Sequence, residues 1–289
     1  MEVDCEGCAG CCLDWRPLAP DAALDHERRG RYRPLDDTYN LAPLTRDGVR
    51  AVVDAGEADA LAPRLFRADE GPTVTVGGVD LAAVAGRPAF LVGLRKVPKP
   101  VAPFDADRTW LPACVYLDPE TLQCRIHGTD RYPETCADYP GANLSVGAET
   151  ECERVERVHG GRRLVDDDPP DDATPLFGPA AVGSTVFAHP DPGRIAAAVG
   201  RIADGDPTRA DRAEFIAVAA ASSPGTVAVS DPIYEETLDR AREADSWVGR
   251  AIEAWTDRAV EAGDRADDDA VPDRDVAVAF GGPDTPGWE

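Results

Sequence analysis

Four cysteines fall within eight consecutive residues near the start of the chain: Cys5, Cys8, Cys11 and Cys12, in the run Cys-Glu-Gly-Cys-Ala-Gly-Cys-Cys. A C-x2-C pair turns two thiolates toward one ion, and here that spacing occurs twice in succession. Each gap holds a glycine, Gly7 and Gly10, which admits positive φ and close backbone approach to a metal. Four more cysteines, Cys114, Cys124, Cys136 and Cys152, follow far along the chain within a 39-residue window. All eight are candidate ligands of a soft metal, and zinc or iron is the expected cofactor.

Two ways of sharing eight thiolates fit the spacing. A structural zinc takes four ligands in a closed tetrahedron. A C-x2-C-x2-C run with one remote cysteine is the spacing of bacterial-type [4Fe–4S] sites, and Cys5, Cys8 and Cys11 have it. The proline that follows the remote cysteine of ferredoxins is missing after each of the four distal cysteines. Adjacent Cys11 and Cys12 point different ways from a bend, so Cys12 is free to serve a second site with distal cysteines. Two four-cysteine sites would use all eight; one site plus buried free thiols is the leaner arrangement. His127 forms a C-x2-H pair with Cys124 but reads better as a neighbour of the site than as a ligand. His26, His159 and His189 have no ligand-like spacing and read as surface or loop residues. The first 20 residues offer Leu13, Trp15 and little else for burial, so coordination is expected to order them.

The surroundings favour metal over disulfides. The formal charge is −24, Asp (36) outnumbers Glu (18), and only two lysines, Lys96 and Lys99, accompany 28 arginines. This is the composition of a halophilic proteome, in which a dense carboxylate surface keeps a protein hydrated in concentrated salt. It argues against nonspecific phosphate binding, so no nucleic-acid partner is expected. The opening residues lack the basic and apolar regions of a signal peptide, and no apolar run reaches the roughly 18 residues of a membrane span. A cytoplasmic location without membrane association is expected, where thiols stay reduced and clustered cysteines bind metal.

The expected fold class is α+β: an irregular, metal-stabilised cysteine-rich unit with a small β portion, followed by an α-helical C-terminal region. The first unit spans residues 1–163, with an insert over 13–113. Within the insert, Thr45 caps a helix bearing Val49, Val52 and Val53. Thr73–Val76, the Gly77-Gly78 turn and Ala89–Val97 read as strands. Asp118-Pro119 marks a turn that sets Cys114 and Cys124 on the arms of a hairpin. An acidic linker covers 164–176, including the run from Asp166 to Asp172. A helical region spans 177–263, its helices opened by Asp191-Pro192, Asp206-Pro207 and Asp231-Pro232. The last of these is expected to run from Pro232 to Ala262, stopped by Gly263, with Tyr234, Ala241, Val248 and Trp255 turned to the core rather than to a dimer seam. A flexible acidic tail covers 264–289.

The order of the motifs resembles the YkgJ family of cysteine-cluster proteins. The resemblance rests on C-x2-C-x2-C-C, on Cys114-Val-Tyr-Leu-Asp-Pro-Glu with Cys124-Arg-Ile126, and on Pro133-Glu-Thr-Cys136-Ala-Asp-Tyr139-Pro140. His127 stands where the family has Tyr, Ala137 where it has Arg, and Tyr132 separates Arg131 from Pro133. The resemblance covers roughly residues 1–155 and implies a zinc- or iron-chelating domain related to flagellin lysine N-methylases. Three functions follow as expectations. The first is a metal-binding protein whose site is structural or carries electrons. The second is a protein lysine N-methylase-like enzyme, although neither Gly77-Gly78 nor Gly160-Gly161 has the G-x-G spacing of a cofactor turn. The third is a metal-nucleated interaction module. There Arg95, Lys96 and Lys99, or Arg28, Arg29, Arg31 and Arg33, would dock an unidentified acidic protein partner, unless they pair with local carboxylates.

Overall fold

The structure is a computed structural model that describes residues 2–20, 32–68, 70–169, 179–264 and 276–287. It is α+β, as expected. Most of the sheet lies in the insert. Strands β2 (Tyr32–Pro34), β3 (Leu61–Ala68), β4 (Thr73–Val76), β5 (Val79–Val84) and β6 (Arg87–Leu94) form an antiparallel sheet ordered β2-β3-β6-β5-β4. A late strand, β10 (Phe187–Ala188), joins it by pairing with β6. Two separate antiparallel pairs complete the β structure of the described residues: the hairpin of β7 (Lys96–Val101) with β8 (Thr109–Cys114), and the long-range pair of β1 (Glu2–Val3) with β9 (Leu164–Asp166).

Helix α1 (Arg46–Asp54) starts where Thr45 Oγ1 accepts from Gly48 N at 3.2 Å, and it buries Val49, Val52 and Val53. Helix α5 (Pro192–Ala203) is opened by Asp191, whose side chain accepts from Gly193 N. It lies so close to the β4–β5 turn that a Cβ on Gly77, at φ +58°, would stand 2.5 Å from Ala196 O. Gly77-Gly78 therefore serves a tight turn against a helix. Helix α6 (Arg209–Ala221) begins two residues beyond Asp206-Pro207. Thr208 caps it in a capping box with Asp211, which satisfies two of the orphan N–H groups of the first turn.

The long helix expected over 232–262 is two helices, α7 (Asp231–Glu243) and α8 (Trp247–Asp264). The chain leaves helical geometry at Ala244, where ψ is 122°. Buried Asp59 holds the break by accepting from both the backbone N and the Oγ of Ser246, while Ser246 Oγ accepts from Gly249 N to start α8. A tertiary anchor thus overrides a continuous heptad pattern. Tyr234, Ala241, Val248 and Trp255 are nevertheless all buried.

Two further expectations are corrected. One hydrophobic core joins Leu13, Leu61, Phe90, Val115 and Ile126 to Phe215, Ile216, Leu238, Val248 and Trp255, so the core does not divide at the 163/177 boundary. Residues 276–287 are not a loose tail. Helix α9 (Val276–Ala279) buries Val276 and Ala277, Arg125 donates to Pro283 O at 2.9 Å, and Thr285 donates to Asp118. Of the acidic linker, Leu164–Asp166 pair with the N-terminal strand, and 170–176 lie outside the described residues.

Candidate metal centre

The N-terminal cysteine run is tied down along β8. Pro98 faces Pro112 in the β7–β8 register, and neither has an N–H. That pair must therefore be a non-hydrogen-bonded one, and by alternation so are Lys96–Cys114 and Pro100–Trp110. The outward N–H of Cys114 donates to Cys12 O at 2.9 Å, and Asp14 N donates to Pro112 O at 2.8 Å. Residues 12–14 thus lie as a third strip on the hairpin. The run itself folds into tight turns, with Cys8 N donating to Cys5 O and Cys12 N to Ala9 O. Gly7 takes φ +63° as expected, but the other left-handed residue is Ala9, at φ +48°. Gly10 is needed for space: a Cβ there would meet Val155 Cγ2 at 2.7 Å.

The distal cysteines arrive on three supports. Cys114 ends β8, and Cys124 lies on the returning arm, bridged to Leu117 across a turn in which Asp118 accepts from Glu120 N and Thr121 N. Cys136 sits in the short helix α2 (Glu134–Ala137), which Thr135 Oγ1 anchors to Pro43 O. Cys152 is in the first turn of α4 (Glu151–His159), capped by a Thr150–Glu153 capping box. The neighbouring Glu151 is buried and accepts from Trp15 Nε1, from Tyr39 Oη at 2.7 Å and from Arg154 Nη1 at 2.8 Å. Trp15, Cys8 and Val155 form a small core of their own beneath α4.

All eight cysteines are free. Their electrostatic neighbours form two overlapping groups that share Cys11. Cys152 interacts with Cys11, Cys5 and Cys8, whereas Cys12 interacts with Cys11, Cys114 and Cys136, and Cys124 with Cys114 and Cys11. One group, called the outer, is Cys5, Cys8 and Cys152, with Cys11 common to both groups. The inner set is Cys12, Cys114, Cys124 and Cys136. The Cys11–Cys12 peptide joins them, with 3.9 Å between the two sulfurs. Burial, reinforced by neighbouring thiols, pushes Cys5, Cys124 and Cys152 up to about 12, and burial is also the main cause that raises Cys8, Cys114 and Cys136. The contact between Cys11 and Cys12 lowers the first and raises the second. Such thiols resist ionising alone; a bound cation supplies the charge that stabilises the thiolate and displaces the proton. Among the described residues no three of the sulfurs lie within 4.8 Å of one another. The three carboxylates that do, on Asp166, Asp167 and Asp168, are exposed.

Both lysines lie inside this region, which corrects the reading of a surface docking island. Lys99 is 2 % exposed, and its Nζ donates to Cys114 O at 3.0 Å, Val115 O at 2.9 Å and Leu117 O at 2.6 Å. Three acceptors match the three N–H donors of an ammonium. Burial lowers Lys99 to about 8, against the pull of Cys114 and Asp118. Lys96, half-buried, donates to Leu13 O at 3.0 Å and lies over the Tyr39 ring. Arg28, Arg29 and Arg31 of the second basic cluster lie outside the described residues.

The histidines are placed as follows. His127 packs edge-on to Tyr132, and His159 stacks on Phe104 at 4.4 Å. His189 is not a surface residue: it is fully buried, its Nδ1 accepts from Asp191 N, and its Nε2 donates to Glu214 at 3.2 Å. His26 is outside the described residues. Gly160 and Gly161 follow the C-terminus of α4 with positive φ, as a plain helix stop. A cleft lined by Asp47, Arg50, Asp54, Asp130 and Arg131 carries no thiol. Among the described residues no helix is long and apolar enough to cross a membrane.

Sequence reasoning missed the interior lysines and Glu57. The latter is 4 % exposed and accepts from Tyr116 Oη at 2.7 Å, Arg131 Nη1 at 2.6 Å and Trp247 Nε1 at 2.7 Å. The signal for the lysines was there: in a chain that uses arginine elsewhere, both stand three residues apart in one Pro-interrupted strand.

No curated protein and no solved structure matches the chain. A family model matches over residues 1–289. The chain belongs to that family, a family of unknown function designated DUF7531.

Proposed function

We propose that this protein chelates a soft metal, zinc or iron, through its eight cysteines, held as two adjoining four-thiolate sets. What supports the reading is that Cys5–Cys12, Cys114, Cys124, Cys136 and Cys152, drawn from five separate parts of the chain, become electrostatic neighbours without forming a disulfide. Free thiols in this number suit the reducing cytoplasm. The donor set fits either metal. Four thiolates on one zinc, at about 2.3 Å each, stand roughly 3.8 Å apart. A four-iron cluster takes one thiolate per iron and spreads them wider. When bound, zinc would cross-link the loops, and a cluster would also carry an electron. The order of the cysteines supports a relation to the YkgJ cysteine-cluster proteins.

The experiment is metal content, acid-labile sulfide and a visible spectrum on protein purified without oxygen in high salt. Colourless protein with zinc, or brown protein with iron and sulfide, supports chelation and identifies the metal. Metal-free protein that is folded by circular dichroism refutes it.

A further inference from the structure

Four arginines that lie inside or half inside the protein each meet a carboxylate at close range. Arg64 bonds Asp36 through two nitrogens, at 3.1 and 2.9 Å, Arg125 pairs with Asp118, Arg131 with Glu57 and Arg154 with Glu151. Such a partner satisfies the fork of the guanidinium and its charge together. Three arginines at the α7–α8 break are held differently. Arg95, at the step from β6 to β7, donates Nη1 to the main-chain oxygen of Asp59 at 3.0 Å. Arg209, which opens α6, donates Nη1 to Ala244 O at 2.6 Å, and its Nη2 stands 3.7 Å from Asp59 Oδ1, too far for a hydrogen bond. Arg212 lies one turn further along α6, on the same side as Arg209, and donates Nη1 to Pro207 O.

Carbonyl dipoles fix these side chains but do not neutralise three full charges. The carboxylate among them, that of Asp59, is buried, and its Oδ2 already accepts from Ser246 N and Oγ. Asp211 is held by Arg201 at 2.7 and 2.6 Å, and Asp206 stands on the exposed rim near Arg212. Burial and then the neighbouring Arg212 lower Arg95 to about 10, against the pull of Asp59. In a chain of net charge −24 this is a local surplus of positive charge: three guanidiniums against Asp59 leave +2. The site is open. Arg95 and Arg212 are half-buried, yet neither has a nitrogen that is both sealed from solvent and without a partner, and the Arg209 side chain is 46 % exposed.

We propose that Arg95, Arg209 and Arg212, set around Asp59, form a binding site for a phosphate group. A tetrahedral dianion matches the surplus of +2 and presents oxygens to several forks at once. The acidic remainder of the surface still disfavours nonspecific phosphate binding, so the site is a local one. It involves none of the cysteines and stands apart from the chelation reading.

Calorimetric titration of inorganic phosphate, and separately of glycerol phosphate, into the full chain in concentrated KCl tests the proposal. One site is expected. Arg209→Gln and Arg212→Gln, each checked for folding by circular dichroism, should weaken binding about tenfold, and Arg212→Lys should recover part of the loss. Arg209 is the more exposed of the two, so its replacement keeps the test valid where Arg212→Gln does not fold. Arg240→Gln, which removes a surface pair with Asp54, should bind as the unsubstituted protein does. Equal affinity for the two anions supports the site with free phosphate as its ligand. Tighter binding of the ester supports it with a phosphate carried on an organic molecule. No binding of either anion, or binding that Arg209→Gln and Arg212→Gln leave unchanged, overturns the proposal.

Discussion

Replacing Glu57 with Ala should loosen the helical region from the cysteine-bearing loops. The carboxylate receives three donors, from Tyr116 beside Cys114, from Arg131 before Cys136 and from Trp247 at the start of α8. Removing one member of a buried ion pair costs about 3–5 kcal/mol. The Arg131 side chain is 18 % exposed and opens on a cleft, so water can partly serve it. That puts the expected loss at the lower end, about 3 kcal/mol. Tyr116→Phe alone leaves the carboxylate two donors and should cost about 1 kcal/mol. The sharper expectation lies in the double substitution. Once Glu57 is gone, the Tyr116 hydroxyl, fully buried, is an orphan donor. Removing it should then be neutral or return about 1 kcal/mol. Urea unfolding at fixed salt and metal, with an unchanged denaturant slope, reads these values. If Tyr116→Phe costs the same in both backgrounds, the three donors do not act through one carboxylate and the reasoning fails.

Other substitutions probe individual supports. Thr150→Ala removes the capping box that holds the first turn of α4, and should cost about 1 kcal/mol by thermal or urea unfolding, with faster metal loss from the set containing Cys152. Gly10→Ala drives a methyl into Val155, which is fully buried. A loss of about 1–3 kcal/mol is expected; a neutral effect would mean that α4 does not pack on the cysteine run as described. Acid should weaken the α5–α6 contact. Bonds from Arg201 at 2.7 and 2.6 Å, then from Thr208, hold the Asp211 carboxyl at about 2 despite burial. A folded-state value below the unfolded 3.8 means stability present above about pH 4 and lost as pH falls toward 2. Arg201 is 43 % exposed, so screening limits the effect to about 1 kcal/mol. Asp211→Asn should remove that part of the acid sensitivity, seen as a shallower fall in unfolding free energy between those pH values.

What could be read from residue types alone follows a physical line. Capping at Thr45 and Asp191, the strand Thr73–Val76 before Gly77-Gly78 and the turn between Cys114 and Cys124 are local, set by a few adjacent residues, and the structure has them, whereas the strand expected over Ala89–Val97 is split between β6 and β7 and β5 was not expected. The break between α7 and α8 depends on Asp59, nearly 190 positions away, which no periodicity can reveal. The docking of 276–287 likewise depends on Asp118, Arg125 and Trp247. For the cysteines, the spacing within Cys5–Cys12 suggested that Cys12 serves other partners than Cys11. Which distal cysteine neighbours which part of the run required the fold: α4 carries Cys152 beside Cys11, Cys5 and Cys8, while β8 and its hairpin carry Cys114 and Cys124 beside Cys11. Lys96 and Lys99 looked like surface charge because lysine usually is; the three carbonyls that hold Lys99 come from a chain segment 15 to 18 residues further on.

The most direct test of the account is metal per chain in the unsubstituted protein, in Cys152→Ser and in Cys124→Ser, each purified anaerobically and checked for folding. The account predicts that each substitution removes the metal of one set and leaves the other, so that each variant keeps about half. Metal-free unsubstituted protein, or complete loss from either single substitution, would contradict it.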